Sequence, residues 1–476
     1  MSNDRLAIET IVDRVVGELA SRGEHAAASA PPPFDGRGIL EDIDAAVGAA
    51  GRSFAAFGDV PLAVRGTIVT AMRRAALDNA ERLARMAVSE TGLGRVEDKI
   101  RKNRLVAEST PGTEDLRPVA FSGDHGLTLV ERAPYGVVGS ITPSTNPSET
   151  IICNAIAMVA GGNAVVFNPH PSARVVSLTT IDVLNRAIAE AGGPRSLLYA
   201  VDRPSIESAT ELMAHPGIRL LVVTGGAGVV RAAMQSGKKV IAAGPGNPPV
   251  VVDETADVPA AARDIIAGAT LDNNIVCIAE KVIIAVRAVA PALKSALVEA
   301  GAVELKGQAA ERVTSTVITE NLGPGRNSRL NRDLIGRDVS VILGAAGVPC
   351  PSGARLAFVE TDRDHPLVWT EQMMPVLPFV TVGDGDDAIE FARAVEGGKG
   401  HTAVAHSKNI ELLSKMARAM NVSIFVKNGP SYAGLGFGGE GFTSFTIASS
   451  TGEGLTRATT FTRERRCTLV DYFRII

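Results

Sequence analysis

The apolar positions of this chain follow two rhythms, and the change between them divides it. Over residues 3–20, Ile8, Ile11, Val12, Val15, Val16 and Leu19 are spaced 3-1-3-1-3, with Asp4, Arg5, Glu9, Asp13, Arg14 and Glu18 among them. That spacing draws one apolar stripe along a helix occupying residues 1–20. Residues 21–38, rich in Ala and Pro, lose the rhythm and read as a linker. A single tethered helix has no core of its own. Its stripe is left to dock on the body of the protein, to stay disordered, or to enter a groove on a partner. The polar face mixes both charges, which disfavours a membrane surface. Residues 40–110 keep the helical period, broken at Pro61 and over Gly92 to Gly94.

From 118 to 142 the period becomes that of strands, over Gly126–Arg132 and Tyr135–Ile141. Strands and helices then alternate. Ala164–Phe167 precedes a helical pattern over 173–191, and Arg219–Val223 precedes the turn Thr224-Gly225-Gly226-Ala227-Gly228 and another helix. Val250–Asp253, a helical stretch over 258–270 and Val282–Val286 continue the series. Such alternation predicts an α/β protein with a parallel, doubly wound sheet, which binds ligands beyond the carboxyl ends of its strands. Asn168 and Thr224 stand at such ends. The turn at Thr224, Gly225 and Gly226 suits a phosphate cradle, although it is not G-x-G-x-x-G and is more often an ordinary tight turn. Ala242-Ala243-Gly244-Pro245-Gly246-Asn247-Pro248 closes a first lobe, so a domain boundary is expected near 248.

Composition narrows the function. A chain of 476 residues exceeds one ordinary core. A net charge of −4 without a long basic run excludes nucleic acid as an expected partner. Four widely separated cysteines, Cys153, Cys277, Cys350 and Cys467, give neither a disulfide framework nor a zinc site, and fit a reducing compartment. The seven histidines do not cluster at ligand spacing, so no metal is expected. No apolar run reaches a membrane span, and charges interrupt any secretory signal.

One cysteine has candidate chemistry. Cys277, in Asp272-Asn273-Asn274-Ile275-Val276-Cys277, lies on a connection between a helix and a strand. Taken alone, it reads as a small buried residue more readily than as a nucleophile.

The motifs together change that balance. Pro134-Tyr135-Gly136-Val137-Val138 running into Thr142-Pro143-Ser144-Thr145-Asn146-Pro147 resembles the aldehyde dehydrogenase segment ending in Pro-Trp-Asn. Glu371-Gln372-Met373-Met374-Pro375 resembles its Glu-x-Phe-Gly-Pro, and Asn428 with Phe437-Gly438-Gly439 resembles its closing segments. Phe167-Asn168-Pro169-His170-Pro171, Asn273 to Cys277 and Gly400-His401-Thr402-Ala403 resemble the CoA-acylating branch, the propionaldehyde and acetaldehyde dehydrogenases of bacterial microcompartments.

The resemblance implies an aldehyde dehydrogenase-like fold. A Rossmann-type cofactor domain (39–248) would be followed by an α/β catalytic domain (249–455). A small β-extension for oligomerisation would be made of about 117–135 and the tail 456–476. It implies NAD as cofactor and coenzyme A as co-substrate for a small aliphatic aldehyde, with propanal favoured. Cys277 becomes the nucleophile, with its pKa lowered towards neutrality. The Asn146 amide and the Cys277 N–H receive the oxyanion, and Glu371 grips the nicotinamide ribose. Met373 stands where the family usually has Phe, Asn168 where many members hold adenosine with Lys, and Pro171 where they have Glu. Thr142, Pro143, Ser144, Pro169 and His170 complete the cofactor contacts. His401 either accepts the CoA thiol proton or merely hydrogen-bonds in a loop. The stretch Ile241 to Gly246, where hydrolytic members place a glutamate, has no carboxylate, so a thiol rather than water is the expected acyl acceptor. The same branch implies that residues 1–20 address the enzyme to a shell or cargo protein inside a cytoplasmic microcompartment, and that the enzyme is a dimer or tetramer. A CoA-independent dehydrogenase, hydrolytic or phosphorylating, and a non-catalytic scaffold are the competing readings.

Overall fold

Two parallel sheets and a small antiparallel one organise the chain, in a computed structural model that describes residues 37–476. The helix expected over 1–20, and all but the end of the linker expected over 21–38, lie outside the described residues. The first sheet runs Ile39–Leu40, Leu198–Val201, Ala164–Pro169, Val137–Thr142, Leu220–Thr224, Val240–Ala243, all parallel. The chain winds from Val137–Thr142 to one edge and then returns to build the other. The order reverses between Val137–Thr142 and Leu220–Thr224, so the crevice beyond their ends is flanked by Thr142 and Thr224.

The second sheet also runs parallel, in the order Val303–Leu305, Ala357–Thr361, Val376–Val382, Val282–Val286, Pro249–Val252, Thr402–His406, Ile424–Lys427. Its central strands are unbroken apolar runs because both faces are covered. Only Gly244 to Pro248 separates the last strand of the first sheet from Pro249–Val252, so this short segment bridges the two sheets. One continuous apolar core lies under both, and a smaller one packs around Val313, Leu343 and Val376. The third sheet pairs Gly126–Pro134 with Val119–Gly123 and with Thr462–Val470.

The region read as helical over 40–110 is four helices, Ile43–Phe57, Leu62–Asp78, Ala80–Thr91 and Val96–Ser109, preceded by the short strand Ile39–Leu40. Pro61 and the Gly92 to Gly94 stretch break it as expected. A third break falls at Asn79, whose side-chain amide donates back to the Ala75 carbonyl and competes with the helix ladder. Helix Pro147–Ala160 is buried on every side, as a helix packed between a sheet and other helices must be.

A buried asparagine fastens the extension to the first sheet. Asn163 Oδ1 accepts from Tyr135 N (2.8 Å) and Gly136 N (3.2 Å), while Nδ2 donates to Met158 O (3.1 Å) and Phe461 O (2.9 Å). Asn163→Ala strands these backbone groups in the interior. It is expected to lower stability by about 2–4 kcal/mol, read as a lower urea midpoint at unchanged slope; a loss under about 1 kcal/mol would show that the hub is dispensable.

Candidate active site

The loop before Cys277 is held in an unfavourable backbone conformation. Asp272, Asn273 and Asn274 are consecutive non-glycine residues at φ 50°, 54° and 69°, a left-handed region that L residues enter only when their side chains are held. Each of them is held. Asp272 Oδ1 accepts from Arg95 N at 2.7 Å, and its Oδ2 meets Lys99 Nζ at 2.9 Å and Lys102 Nζ at 2.5 Å. Asn273 Nδ2 donates to Gly336 O and Asp338 Oδ1, both at 3.0 Å. Asn274 Nδ2 donates to Ala269 O (2.7 Å) and Glu280 O (3.0 Å), and Lys281 Nζ reaches Asn274 O and Oδ1 at 2.6 Å. Cys277 is thus presented from a loop tied at both ends. Gly94 makes room for it: at φ 75°, any Cβ there would fall 2.0 Å from Asp272 Oδ1.

Three segments converge at the thiol. A Cβ on Gly246 would lie 2.6 Å from the Cys277 carbonyl oxygen and 3.2 Å from the His401 ring. The bridging segment between the sheets must therefore carry glycine here. His401 is fully buried. Its N–H donates to Glu396 Oε1 at 2.8 Å, its Nδ1 lies 2.8 Å from Thr402 Oγ1, and its Nε2 has no partner. Burial, with Lys281 and Lys399 nearby, pushes the imidazole down to about 4, so it is neutral at neutral pH. In the tautomer whose Nδ1 donates to Thr402 Oγ1, a neutral ring leaves Nε2 available to accept a proton.

Two expectations are corrected here. The thiol of Cys277 is not lowered towards neutrality but pushed up to about 12, by burial and then by the charge of Glu371; Lys281 and Lys102 offset this only in part. Nor is the neighbourhood free of carboxylate. Residues 241–246 carry none, but Glu371 reaches them from another part of the chain, and its Oε1 accepts from Gly246 N at 3.3 Å. Burial raises the Glu371 carboxyl, and Lys281 opposes that rise. Glu280, next to Lys281, turns away: both its oxygens hold Ser431, and burial pushes it up to about 7.

Asn146 sits at the start of helix Pro147–Ala160, with Oδ1 at 2.6 Å from Lys102 Nζ and Nδ2 at 3.1 Å from Thr145 Oγ1. Lys102 also meets Glu149 Oε1 at 2.9 Å, and Lys99 donates to the Thr145 carbonyl at 2.8 Å. The pattern of motifs gave no hint of Lys99, Lys102, Glu149 or Lys281 as site residues. The one available signal was spacing, since Lys99 and Lys102, like Asn146 and Glu149, share a helix face three residues apart.

Several of the residues expected to hold the cofactor lie at the carboxyl ends of the first sheet's strands. Thr142 Oγ1, at the end of the central strand and ahead of Pro143 and Ser144, is buried without a partner. Thr224 Oγ1 lies 2.9 Å from Thr446 Oγ1, and Gly225 and Gly226 lead into helix Ala227–Met234. An orphaned hydroxyl facing a glycine turn at the strand reversal fits a dinucleotide. Asn168, by contrast, is already engaged: Oδ1 accepts from Ser208 Oγ (2.6 Å) and Nδ2 donates to Ser205 O (3.2 Å). Pro169 ends its strand, and His170 Nδ1 accepts from Ser172 N at 3.2 Å. Met373 is held at φ 49°, its carbonyl accepting from Gly336 N at 3.0 Å. Cys153 is a core residue against Ser444 and Phe445. Among the described residues no group of His, Cys, Asp and Glu is arranged to hold a metal, and no helix is long and apolar enough to cross a membrane.

Known proteins resemble this chain in sequence and fold. The acetaldehyde dehydrogenase (acetylating) of Salmonella typhimurium is 51% identical over 440 residues, covering 92% of this chain and 94% of that one. A propionaldehyde dehydrogenase from the Clostridium phytofermentans fucose utilisation bacterial microcompartment matches at 48% identity and TM-score 0.89, over 92% of this chain and 100% of that one. The Rhodopseudomonas palustris propionaldehyde dehydrogenase, solved with bound CoA and an acylated cysteine, matches at 47% identity and TM-score 0.88, over 91% and 98%. The aldehyde dehydrogenase family model extends over residues 37–462, from the first described residue through both parallel sheets to the start of strand Thr462–Val470, and the chain belongs to that family.

Proposed function

We propose that this protein oxidises a short aliphatic aldehyde, propanal or ethanal, and passes the acyl group to coenzyme A. The observation that carries this reading is the unpartnered Nε2 of a neutral, buried His401, whose ring closes on Gly246, as does the Cys277 carbonyl. The relative that holds CoA beside an acylated cysteine supports the same acceptor.

The steps follow from the residues. The Cys277 thiol gives up its proton to solvent, the thiolate sulfur adds to the aldehyde carbon, and the carbonyl oxygen becomes an oxyanion received by the Asn146 amide and the Cys277 N–H. NAD, when bound, supplies the hydride acceptor, which leaves a thioester on Cys277. Glu371 is suited to the ribose hydroxyls. Hydrogen bonds to them would disperse the charge that helps to raise the thiol pKa, so cofactor binding and thiolate formation are coupled through this residue. The CoA sulfur then attacks the thioester carbon, its proton passes to His401 Nε2, and the bond to Cys277 breaks to release acyl-CoA and the Cys277 thiolate.

Residues 39–248 form the cofactor domain and 249–455 the catalytic domain in this reading, with the active site at their bridge. The antiparallel sheet is the oligomerisation surface of a dimer or tetramer: Val119, Phe121, Leu469 and Val470 are exposed apolar residues on its two outer strands. The stripe on residues 1–20 addresses the enzyme to a microcompartment shell or cargo protein in the cytoplasm, a reading supported by its amphipathic pattern and the provenance of the Clostridium relative.

With propanal or ethanal and NAD, sustained NADH formation is expected only when CoA is present, with acyl-CoA as product; many turnovers without CoA would establish the hydrolytic alternative. Cys277→Ala is expected to reduce both the single-turnover burst and steady-state turnover at least about 1000-fold. His401→Ala should leave the burst intact and slow acyl transfer about 100-fold. Because His401 is neutral above about 4, transfer by the native enzyme should show no loss of this base between pH 8 and 6; a step near 6.5 that disappears in His401→Ala would contradict the buried, neutral assignment. Phe121→Glu with Val470→Lys should lower the oligomeric mass in light scattering without unfolding the subunit, and an unchanged mass would remove this sheet from the interface.

A further inference from the structure

One buried charge cluster has no role in the steps above beyond the partial offset by Lys102 of the rise in the Cys277 thiol pKa. Lys99, Lys102, Glu149 and Asp272 lie in the interior, two cations against two anions, between the nucleophile loop and Asn146. We propose that Lys102 is a positioning residue that fixes which end of the Asn146 amide faces the reacting carbonyl, an inference resting on the oxyanion role given to Asn146.

The start of helix Pro147–Ala160 supports this. An asparagine in that position ordinarily turns its side-chain oxygen onto the helix N–H groups. Asn146 makes no such bond; its Oδ1 accepts from Lys102 Nζ instead. An ammonium group only donates, so only the oxygen end of the amide can face it. The NH₂ end must then face the other way. There one proton is donated to Thr145 Oγ1, and the second remains for the oxyanion. A flipped amide would set donor against donor between two buried side chains.

Lys102 cannot swing aside, because Asp272 Oδ2 at 2.5 Å and Glu149 Oε1 at 2.9 Å hold the same nitrogen at 1% exposure. Lys99 fixes the neighbouring carbonyl of Thr145. Asp272 in turn anchors the strained loop that leads to Cys277. One ammonium therefore sets the oxyanion donor relative to the nucleophile.

A double-mutant cycle tests this, read as the burst of NADH from propanal and NAD before CoA is added. Asn146→Ala is expected to slow the burst about 100-fold. Lys102→Met should slow it at least about tenfold when Asn146 is present and less than about threefold when it is Ala. Equal losses in both backgrounds would overturn the proposal, leaving Lys102 a supporting role in the fold. An undiminished burst in Asn146→Ala would overturn the oxyanion reading instead. Since Lys102→Met leaves two buried carboxylates short of a partner, the cycle is repeated with Lys102→Met/Glu149→Gln against Glu149→Gln, which restores neutrality. Alkylation of Cys277 by iodoacetamide involves no oxyanion and should stay within about threefold in that pair; its loss together with the burst would also overturn the proposal.

Discussion

A buried carboxylate that must be neutralised governs this active site. Asp272 has no exposure to solvent, and burial alone would force it to protonate. Lys102 and Lys99 reverse that, and hold the carboxyl below its ordinary range. The same pairing keeps Lys102 charged, since the pull of Asp272 and Glu149 exceeds the penalty of its burial. Buried ion pairs of this kind contribute little net stability, but removing one partner is costly. Their value here is geometric. The pairs join helix Val96–Ser109, the loop before Cys277 and the start of helix Pro147–Ala160, three elements far apart in sequence.

The loop they anchor is strained over three consecutive residues, so the position of Cys277 is imposed from outside. Side-chain amides do most of the holding. Asn273 and Asn274 tolerate the left-handed region better than other L residues and also bring the donors that tie it down. Lys281 closes the far side by binding the Asn274 carbonyl. It is itself lowered to about 8 by burial, despite the pull of Glu371, Cys277 and Glu280. The resting thiol is poorly ionised as a result of the same burial.

Acceptor choice is likewise a matter of which group occupies a small space. Gly246 leaves only enough room for the His401 ring and the Cys277 backbone to meet. The ring lies against Thr402 and is neutral at neutral pH; in the proposed transfer it would take its proton from a thiol, which ionises far closer to neutrality than water does. Glu371 lies on the Gly246 N–H.

The sequence alone determined the alternation of strands and helices, the turn at Thr224 and the bridge near residue 248, and singled out Cys277 as the candidate nucleophile. These depend on local period, turn chemistry and the order of short motifs, all of which are written along the chain. It also suggested His401 without deciding between two roles. The tertiary structure adds the one observation that bears on it, an unpartnered Nε2, which is a fact about neighbours from other segments. It alone raised rather than lowered the thiol pKa, brought Glu371 beside a stretch that lacks carboxylates, and turned Asn168 inward onto Ser205 and Ser208. The lysines and Glu149 were invisible for the same physical reason. A charged residue on an amphipathic helix looks solvent-facing until the fold shows what is packed against it, and burial, the strongest influence on every titrating group here, is a property of the assembled layers and not of any one stretch.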